Sequence, residues 1–286
     1  MTPRIAPDLE HVARAIAERG GRLGAPLSIE DETTSTNDDA KAGAKAGAPH
    51  GAVWLAESQR AGRGRQGRAW VSPRGENLLF SVLLRVTCPP ARVPPLSLVA
   101  GLAVRDAVAK AVGDASAERV LVKWPNDVVV RDEDGSLRKL AGILIESSVS
   151  GMKVDHVVVG IGINVHTRDF PEELSAIATS IARESSGGVP PDRAEILADV
   201  LANLDRDAEH VAHRGLGLVH ARLEKHDALR GHQVESDDGG LGGTAEGIDL
   251  EGRLRVRTSA GEIVTVAAGE VRRMPARPGP GRPKSA

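Results

Sequence analysis

The sequence predicts an α+β protein, a mixed β-sheet with packed helices, followed by a small all-β barrel. Three observations predict this. As far as about residue 230, short β-branched runs share the chain with segments of helical apolar spacing. After Gly231 the composition changes to short alternating strands separated by Gly- and Asp-rich turns. An apolar content of 41% in 286 residues supplies ample material for a core, and the length suits two domains.

In chain order, Leu9, Val12, Ala13 and Ile16 fall on one face and predict a short helix over 8–19. Leu27 to Glu32 alternates as a strand, and Thr33-Thr34-Ser35-Thr36-Asn37-Asp38 caps an Ala-rich helix ending near Gly47. Ala52–Ser58 and Asn77–Arg85 read as strands, and residues 59–68, without apolar periodicity, as a loop. Spacing turns helical from Leu96 to Val112. The runs Val120–Val122, Val128–Val130, Leu140–Ile145 and Val157–Val165 are short and β-branched, hence strands, with Asp132-Glu133-Asp134-Gly135 as a hairpin tip. Helical spacing returns over 192–230. Four strands follow: His232–Glu235, Gly243–Ile248, Leu254–Thr258 and Ile263–Val266. The Pro- and Gly-rich stretch from Pro275 cannot bury apolar area and is expected to be disordered. The expected division is 1–26, a helical extension; 27–230, the α+β domain; 231–274, the barrel; and 275–286, a tail.

Charge and composition exclude several classes. Lys and Arg number 37 against 39 Asp and Glu, a net charge of −2, whereas a whole-chain nucleic-acid binder is usually basic. Cys88 is the sole cysteine, so there is no intrachain disulfide and no CxxC metal or redox site. Aromatics are confined to Trp54, Trp70, Trp124, Phe80 and Phe170, too few for a single-strand stacking platform. The first twenty residues lack the apolar core of a secretory signal. The longest apolar stretch, Leu98–Val104, falls far short of the ~20 residues that span a bilayer. A cytoplasmic protein is expected.

Three islands carry chemistry. Arg60, Arg63, Arg65 and Arg68 lie in nine residues with Gly62, Gly64 and Gly67 and no acid. Glycines admit close approach of the backbone to an anion, and guanidinium forks match phosphate or carboxylate. A Walker A reading fails because Arg68-Ala69 stands where Lys and a hydroxyl are required. In Val122-Lys123-Trp124-Pro125-Asn126-Asp127, a lysine ends a strand just before a rigid Pro-Asn turn, which holds it in place. Gly160-Ile161-Gly162-Ile163-Asn164-Val165 lacks the third glycine and the helix of a dinucleotide site. It reads instead as a strand whose glycines permit close ligand approach, with Asn164 at its exposed end.

With these islands in place, the chain resembles the biotin–protein ligases, biotin–[carboxyl carrier] ligases of the holocarboxylase synthetase type. The matching segments are Ser35-Thr36-Asn37, the Gln59-x-x-Gly-Arg-Gly-Arg-x-Gly-Arg loop with Trp70, Lys123-Trp-Pro-Asn-Asp127, Lys139-Leu-Ala-Gly-Ile-Leu-Ile-Glu146 and Gly160-x-Gly-Ile-Asn164. They stand in the family's order and spacing over about residues 27–272. The resemblance implies a catalytic α+β domain like that of the class II aminoacyl-tRNA synthetases, then a Src-homology-3-like barrel. It implies activation of biotin by ATP to biotinyl-5′-adenylate with release of pyrophosphate. The biotin then passes to a lysine of a biotin carboxyl carrier domain, and Mg²⁺ is expected with ATP. Lys123 and Arg65 are the implied catalytic residues. Ser35, Thr36, Asn37, Gln59, Arg63, Gly64, Arg65 and Lys123 are implied for biotin. Arg63, Arg65, Arg68, Trp70, Lys139 and Asn164 are implied for the nucleotide, Trp70 as cavity wall, adenine neighbour or plain core residue.

The chain also departs from the family. Gln66 stands where the loop is often basic, and Trp54 is bulky for its strand position. Some members carry an N-terminal winged-helix domain and act as repressors; with about 26 residues before the catalytic domain, DNA binding is not expected here. A homodimer is left open, and no metal ligands are named. The rival readings are a lipoate–protein ligase and a non-catalytic protein, either an RNA binder using the Arg-Gly loop or a biotin-responsive repressor. His210, His213 and His220 lack a carboxylate partner and read as surface residues, and Cys88, before Pro89-Pro90, reads as an inert thiol.

Overall fold

A computed structural model describes residues 6–185 and 191–274; the expected tail, 275–286, lies outside them. The first seven strands are β1 (Leu27–Glu30), β2 (Val53–Ala56), β3 (Leu78–Leu84), β4 (Val120–Lys123), β5 (Asp127–Arg131), β6 (Leu137–Ser150) and β7 (Lys153–Ile163). They form one sheet in the order β1-β2-β3-β7-β6-β5-β4. Only β1 and β2 run parallel; every other neighbouring pair is antiparallel.

The two-residue period gives this sheet two unlike faces. Val157, Val159, Ile161 and Ile163 of β7, with Ala141 and Ile143 of β6, join the main core. Against them packs α3 (Val93–Val112), with α7 (Arg193–Arg214) laid on α3 and α1 (Val12–Arg19) on α7. α3 is apolar nearly all round because the sheet covers one side and α7 another. The opposite face carries Gly142, Leu144 and Glu146 of β6, paired in register with Gly162, Gly160 and Val158 of β7. There α2 (Thr36–Lys45) packs through Ala40 and Ala44 onto Leu83 and Val158. Trp54, bulky for its position by sequence, lies across Gly43 of α2, where an added Cβ would stand 2.1 Å from its Cζ2.

The last five strands are β8 (Gln233–Ser236), β9 (Gly242–Ile248), β10 (Leu254–Arg257), β11 (Ile263–Val266) and β12 (Val271–Arg273). They form an antiparallel sheet in the order β11-β10-β9-β8-β12. β12, a three-residue Val-Arg-Arg strand, has no alternation to announce it. Val234, Ala245, Ile248, Leu254, Val256 and Val271 belong to the same buried cluster as the large sheet's core, so one core runs through both sheets. Leu9, Val12, Ala15 and Ile16 belong to it as well, so the described part of the N-terminal extension is built into the core. Cys88 is buried, and burial pushes its thiol pKa up, in keeping with an inert side chain.

The helical segment expected over 192–230 is broken. α7 ends before Gly215, whose φ of +80° turns the chain out of the helix; α8 (His220–Lys225) follows, and Asp227 then bridges Val122 of β4. Three four-residue helices, α4 (Asp114–Ala117), α5 (Glu172–Ser175) and α6 (Ile181–Glu184), are too short for periodicity to reveal. No helix of the described residues is long and apolar enough to cross a membrane.

A buried ion network fastens the ends of the large unit. Arg193, fully buried at the start of α7, forks onto Asp8 at 2.8 Å twice and donates to Glu57 at 2.6 Å and to the Asn77 carbonyl at 3.1 Å. Burial works against the Arg193 charge, but the two carboxylates hold its proton more firmly than in a free guanidinium.

Candidate functional site

A cavity of about 270 Å³ opens on the α2 side of the large sheet, floored by the glycine-bearing stretches of β6 and β7. Glycine is required there by close approach: a Cβ on Gly160 would lie 2.0 Å from Asn37 Oδ1, and one on Gly162 would lie 2.6 Å from the Trp70 ring. Because Gly160 and Gly162 share one face of β7, the strand itself divides the cavity into an Asn37 end and a Trp70 end.

The first end is polar. Ser35, Thr36 and Asn37 begin α2, all nearly buried. Ser35 occupies the N-cap position, but its hydroxyl makes no capping bond and stays available to a ligand. Gln59 Oε1 accepts from the Thr36 backbone N–H at 2.8 Å, which fixes its amide so that the NH₂ group is the outward donor. Ser81 Oγ stands 2.6 Å from Asn37 Oδ1, and Asn37 Nδ2 donates to Glu146 at 2.7 Å. Together these groups offer donors and an acceptor within a small, polar enclosure.

The second end is cationic and apolar. Trp70 lies over the Gly142–Gly162 pair with its indole N–H buried and without a hydrogen-bond partner among the described residues. The Lys139 Nζ stands 5.5 Å from the centre of that ring and 2.7 Å from Asp127 Oδ1, close but out of line for a hydrogen bond. Asn164 donates to the Thr179 carbonyl at 3.0 Å and so ties down the segment that carries Ile177 and Ala178. Phe170, Pro171, Leu174 and Ile177 complete an apolar wall.

The arginine loop joins the two ends, and its arginines are not equivalent. Arg63 forks onto Asp38 at 2.8 and 2.7 Å, and the guanidinium holds that carboxyl well below the usual carboxylate range. Lys41 bridges Asp38 and Glu146, so this cluster is internally neutralised. Arg68 reaches the small sheet, 3.1 Å from Glu270 and 3.4 Å from Asp237. Arg65 makes only a long contact, 3.4 Å to Asn126 Oδ1, and forms no ion pair with a described residue. It is the arginine of the loop least committed to protein partners. Gln66 takes a left-handed φ of 55° at the loop tip.

The structure brings together on this cavity wall Ser35, Thr36, Asn37, Gln59, Arg63, Gly64, Arg65, Arg68, Trp70, Lys139 and Asn164. Lys123, expected at the site, stands apart from them. It ends β4 opposite Asp127 and does not line the cavity. The lysine that meets the cavity is Lys139, because β6, not β4, neighbours the glycine-bearing strand. Among wall residues that the sequence reading did not single out, Asn126 and Asp127 stood within a recognised island. Asn77, Thr167 and the 169–178 segment carried no motif and arrive only by folding. Among the described residues no group of three His, Cys, Asp or Glu side chains is placed to hold a metal ion.

Comparison with known proteins agrees with this geometry. Residues 31–164 match the biotin/lipoate A/B protein ligase family, and residues 233–273 match the biotin protein ligase C-terminal domain. The biotin–[acetyl-CoA-carboxylase] ligase of Mycobacterium tuberculosis is 38% identical over 250 residues, 86% of this chain and 88% of that protein. The bifunctional ligase/repressor BirA of Bacillus subtilis is 32% identical over 243 residues, 84% of this chain and 71% of that protein. The solved biotin protein ligase of Aquifex aeolicus, in complex with biotin and ATP, superposes with a TM-score of 0.72 at 29% identity, covering 87% of this chain and all of that one. Likeness of this depth, extending over both sheets in the same order, makes the chain a member of the biotin protein ligase family.

Proposed function

We propose that this chain is a cytoplasmic biotin–protein ligase, with 27–230 as its catalytic domain, which activates biotin with ATP and transfers it to a lysine of a biotin carboxyl carrier protein. One observation carries the reading: a single cavity places a polar enclosure for a ureido ring beside a cationic, aromatic-walled end, with an arginine loop across the junction. The Ser35 hydroxyl and the Gln59 NH₂ donate to the ureido carbonyl, and Asn37 Oδ1 accepts a ureido N–H. The valeryl chain runs over Leu144 and Gly160 toward Arg65 and Lys139.

There the biotin carboxylate attacks the α-phosphorus of ATP, the bond to pyrophosphate breaks and a mixed anhydride forms. Two anions must meet, so fixed cations in a partly dry site lower the barrier. Lys139 suits this role because its ammonium, held by Asp127 and the Trp70 face, is already where charge develops; Arg65 adds a second cation. Trp70, Phe170 and Leu174 suit an adenine ring. Mg²⁺ bound with ATP would neutralise phosphate charge there, and Asp127, beside Lys139, is the wall carboxylate that would reach it. In the second step the acceptor lysine's neutral amine attacks the acyl carbon and AMP leaves.

The test is pyrophosphate exchange with biotin or lipoate, followed by labelling of a carrier domain. Biotin-dependent exchange and labelling are expected. Lipoate-dependent exchange would make the chain a lipoate ligase, and no exchange with either would make it a binding protein.

A further inference from the structure

A second hollow, of about 240 Å³, lies on the far side of Arg65 from the cavity already described. The two share Arg65, Asn126, Ile143 and Leu144, so they adjoin at the point where the loop crosses. Its walls come from both sheets: the first turn of α3, the Trp124-Pro125 turn and β6 on one side, and Gly252 with Ala267 and Ala268 on the other. The Trp124 indole donates to the Gly252 carbonyl at 3.0 Å and pins the two sides together. A Cβ on Gly252 would stand 3.2 Å from Pro95, so that wall is closely fitted.

Its chemistry is unlike that of the main cavity. The walls are apolar apart from Ser97 and Asn126, and both of these already donate to backbone carbonyls, Ser97 to Pro125 at 3.1 Å and Asn126 to Ile143 at 2.8 Å. Among the described residues the one charged side chain that lines it is Arg65, and no carboxylate does. A passage of this kind accepts an unbranched hydrocarbon stem and disfavours a positive charge at its inner end.

From this geometry we propose that the second hollow is the entry channel for the carrier's acceptor lysine. The four-methylene stem packs between the α3 turn and the Ala267-Ala268 loop, and the amine arrives beside Arg65. The like charge of Arg65 and the absence of a carboxylate favour the deprotonated amine, the form whose lone pair attacks. The amine nitrogen bonds to the acyl carbon, the bond from that carbon to the phosphate oxygen breaks, AMP leaves with the electron pair, and the nitrogen's surplus proton passes to water. The small sheet thereby supplies one wall of the acceptor route. This inference rests on the proposed ligase function and adds a route that the ligand cavity does not supply.

The experiment fills the channel from each side with exposed positions whose replacement leaves the core untouched: Ala268→Trp on the small sheet and Pro94→Trp on α3. Three rates are measured for wild type and both variants: biotin-dependent pyrophosphate exchange, formation of biotinyl hydroxamate with hydroxylamine, and biotinylation of a carrier domain. Exchange and hydroxamate formation are expected within about twofold of wild type, while carrier labelling falls at least tenfold. Carrier labelling at the wild-type rate in both variants overturns the channel. An equal fall in all three rates overturns it too, because the hollow then serves the first step. Absence of exchange in wild type is a different result and rejects the ligase reading itself.

Discussion

Lys139 owes its suitability to neighbours that hold it without saturating it: Asp127 at 2.7 Å out of hydrogen-bond line, and the Trp70 ring at 5.5 Å. Removing a fixed cation from a site of developing anionic charge costs about 10²–10³ in rate. Lys139→Ala is therefore expected to cut biotin-dependent pyrophosphate exchange by that factor, whereas Lys123→Ala, off the cavity wall, loses less than tenfold. The reverse ranking in the same assay would return the role to Lys123. A second residue-scale prediction concerns Asp227. Burial raises its pKa from 3.8 to about 6, and one of its oxygens has no hydrogen-bond partner among the described residues. The folded protein thus binds this proton more tightly than the unfolded chain does. Its contribution to stability grows as pH falls from about 7 toward 4 and is absent above that window. Two pKa units amount to at most about 3 kcal/mol. Asp227→Asn keeps the acceptor for the Leu229 N–H, so it is expected to raise stability at pH 8 by about 1–3 kcal/mol and flatten that part of the pH profile. Urea unfolding at pH 5 and pH 8 reads both effects.

At the scale of the element, β7 shows how one strand serves two ligands. Its odd-numbered residues from 157 to 163 are aliphatic and face the core; Gly160 and Gly162, on the other face, admit Asn37 and Trp70. A methyl at each position meets a different partner, so the consequences separate. Gly160→Ala is expected to raise KM for biotin about tenfold with KM for ATP little changed, and Gly162→Ala to do the opposite. A displaced hydrogen-bonding group costs about 1–2 kcal/mol, which is the origin of that factor. Steady-state exchange with each substrate varied in turn distinguishes the two. The helix α2 has the same dependence on a missing side chain. Gly43→Ala gains about 1 kcal/mol of helix propensity but drives a methyl into Trp54, an overpacking cost of about 1–3 kcal/mol. A net loss of up to about 2 kcal/mol in chemical denaturation is expected.

For the whole molecule, the network around Arg193 joins the N-terminal segment, the end of β2 and the start of α7, and its bond to the Asn77 carbonyl reaches a cavity residue. Arg193→Met leaves the Glu57 carboxylate buried without a cation, a change that costs about 3–5 kcal/mol. Asp8→Asn is expected to cost less, about 1 kcal/mol, because the Asp8 side chain is 26% exposed and water replaces part of the contact. Denaturation midpoints of the two variants in the same buffer test this ordering; equal losses would place the network's stability elsewhere.

Local features are legible along the chain. Alternation and β-branching located β1 to β7 within a few residues, helical spacing located α3 and most of α7, and the Arg-Gly loop and the Gly160–Asn164 strand marked stretches that lie on the cavity wall. These signals depend on near neighbours along the chain, so they survive without a fold. Which of two lysines reaches the cavity wall was set by the fold, because β6 lies next to β7 while β4 lies at the sheet's edge. The fold also decided that Arg63 is spent on Asp38 and Arg68 on Glu270, leaving Arg65 the freest of the loop's cavity arginines. It also explained Trp54 through a glycine on another element. Each of these is a contact between residues far apart in sequence, and no local pattern records which distant side chain will neutralise a charge or fill a missing Cβ.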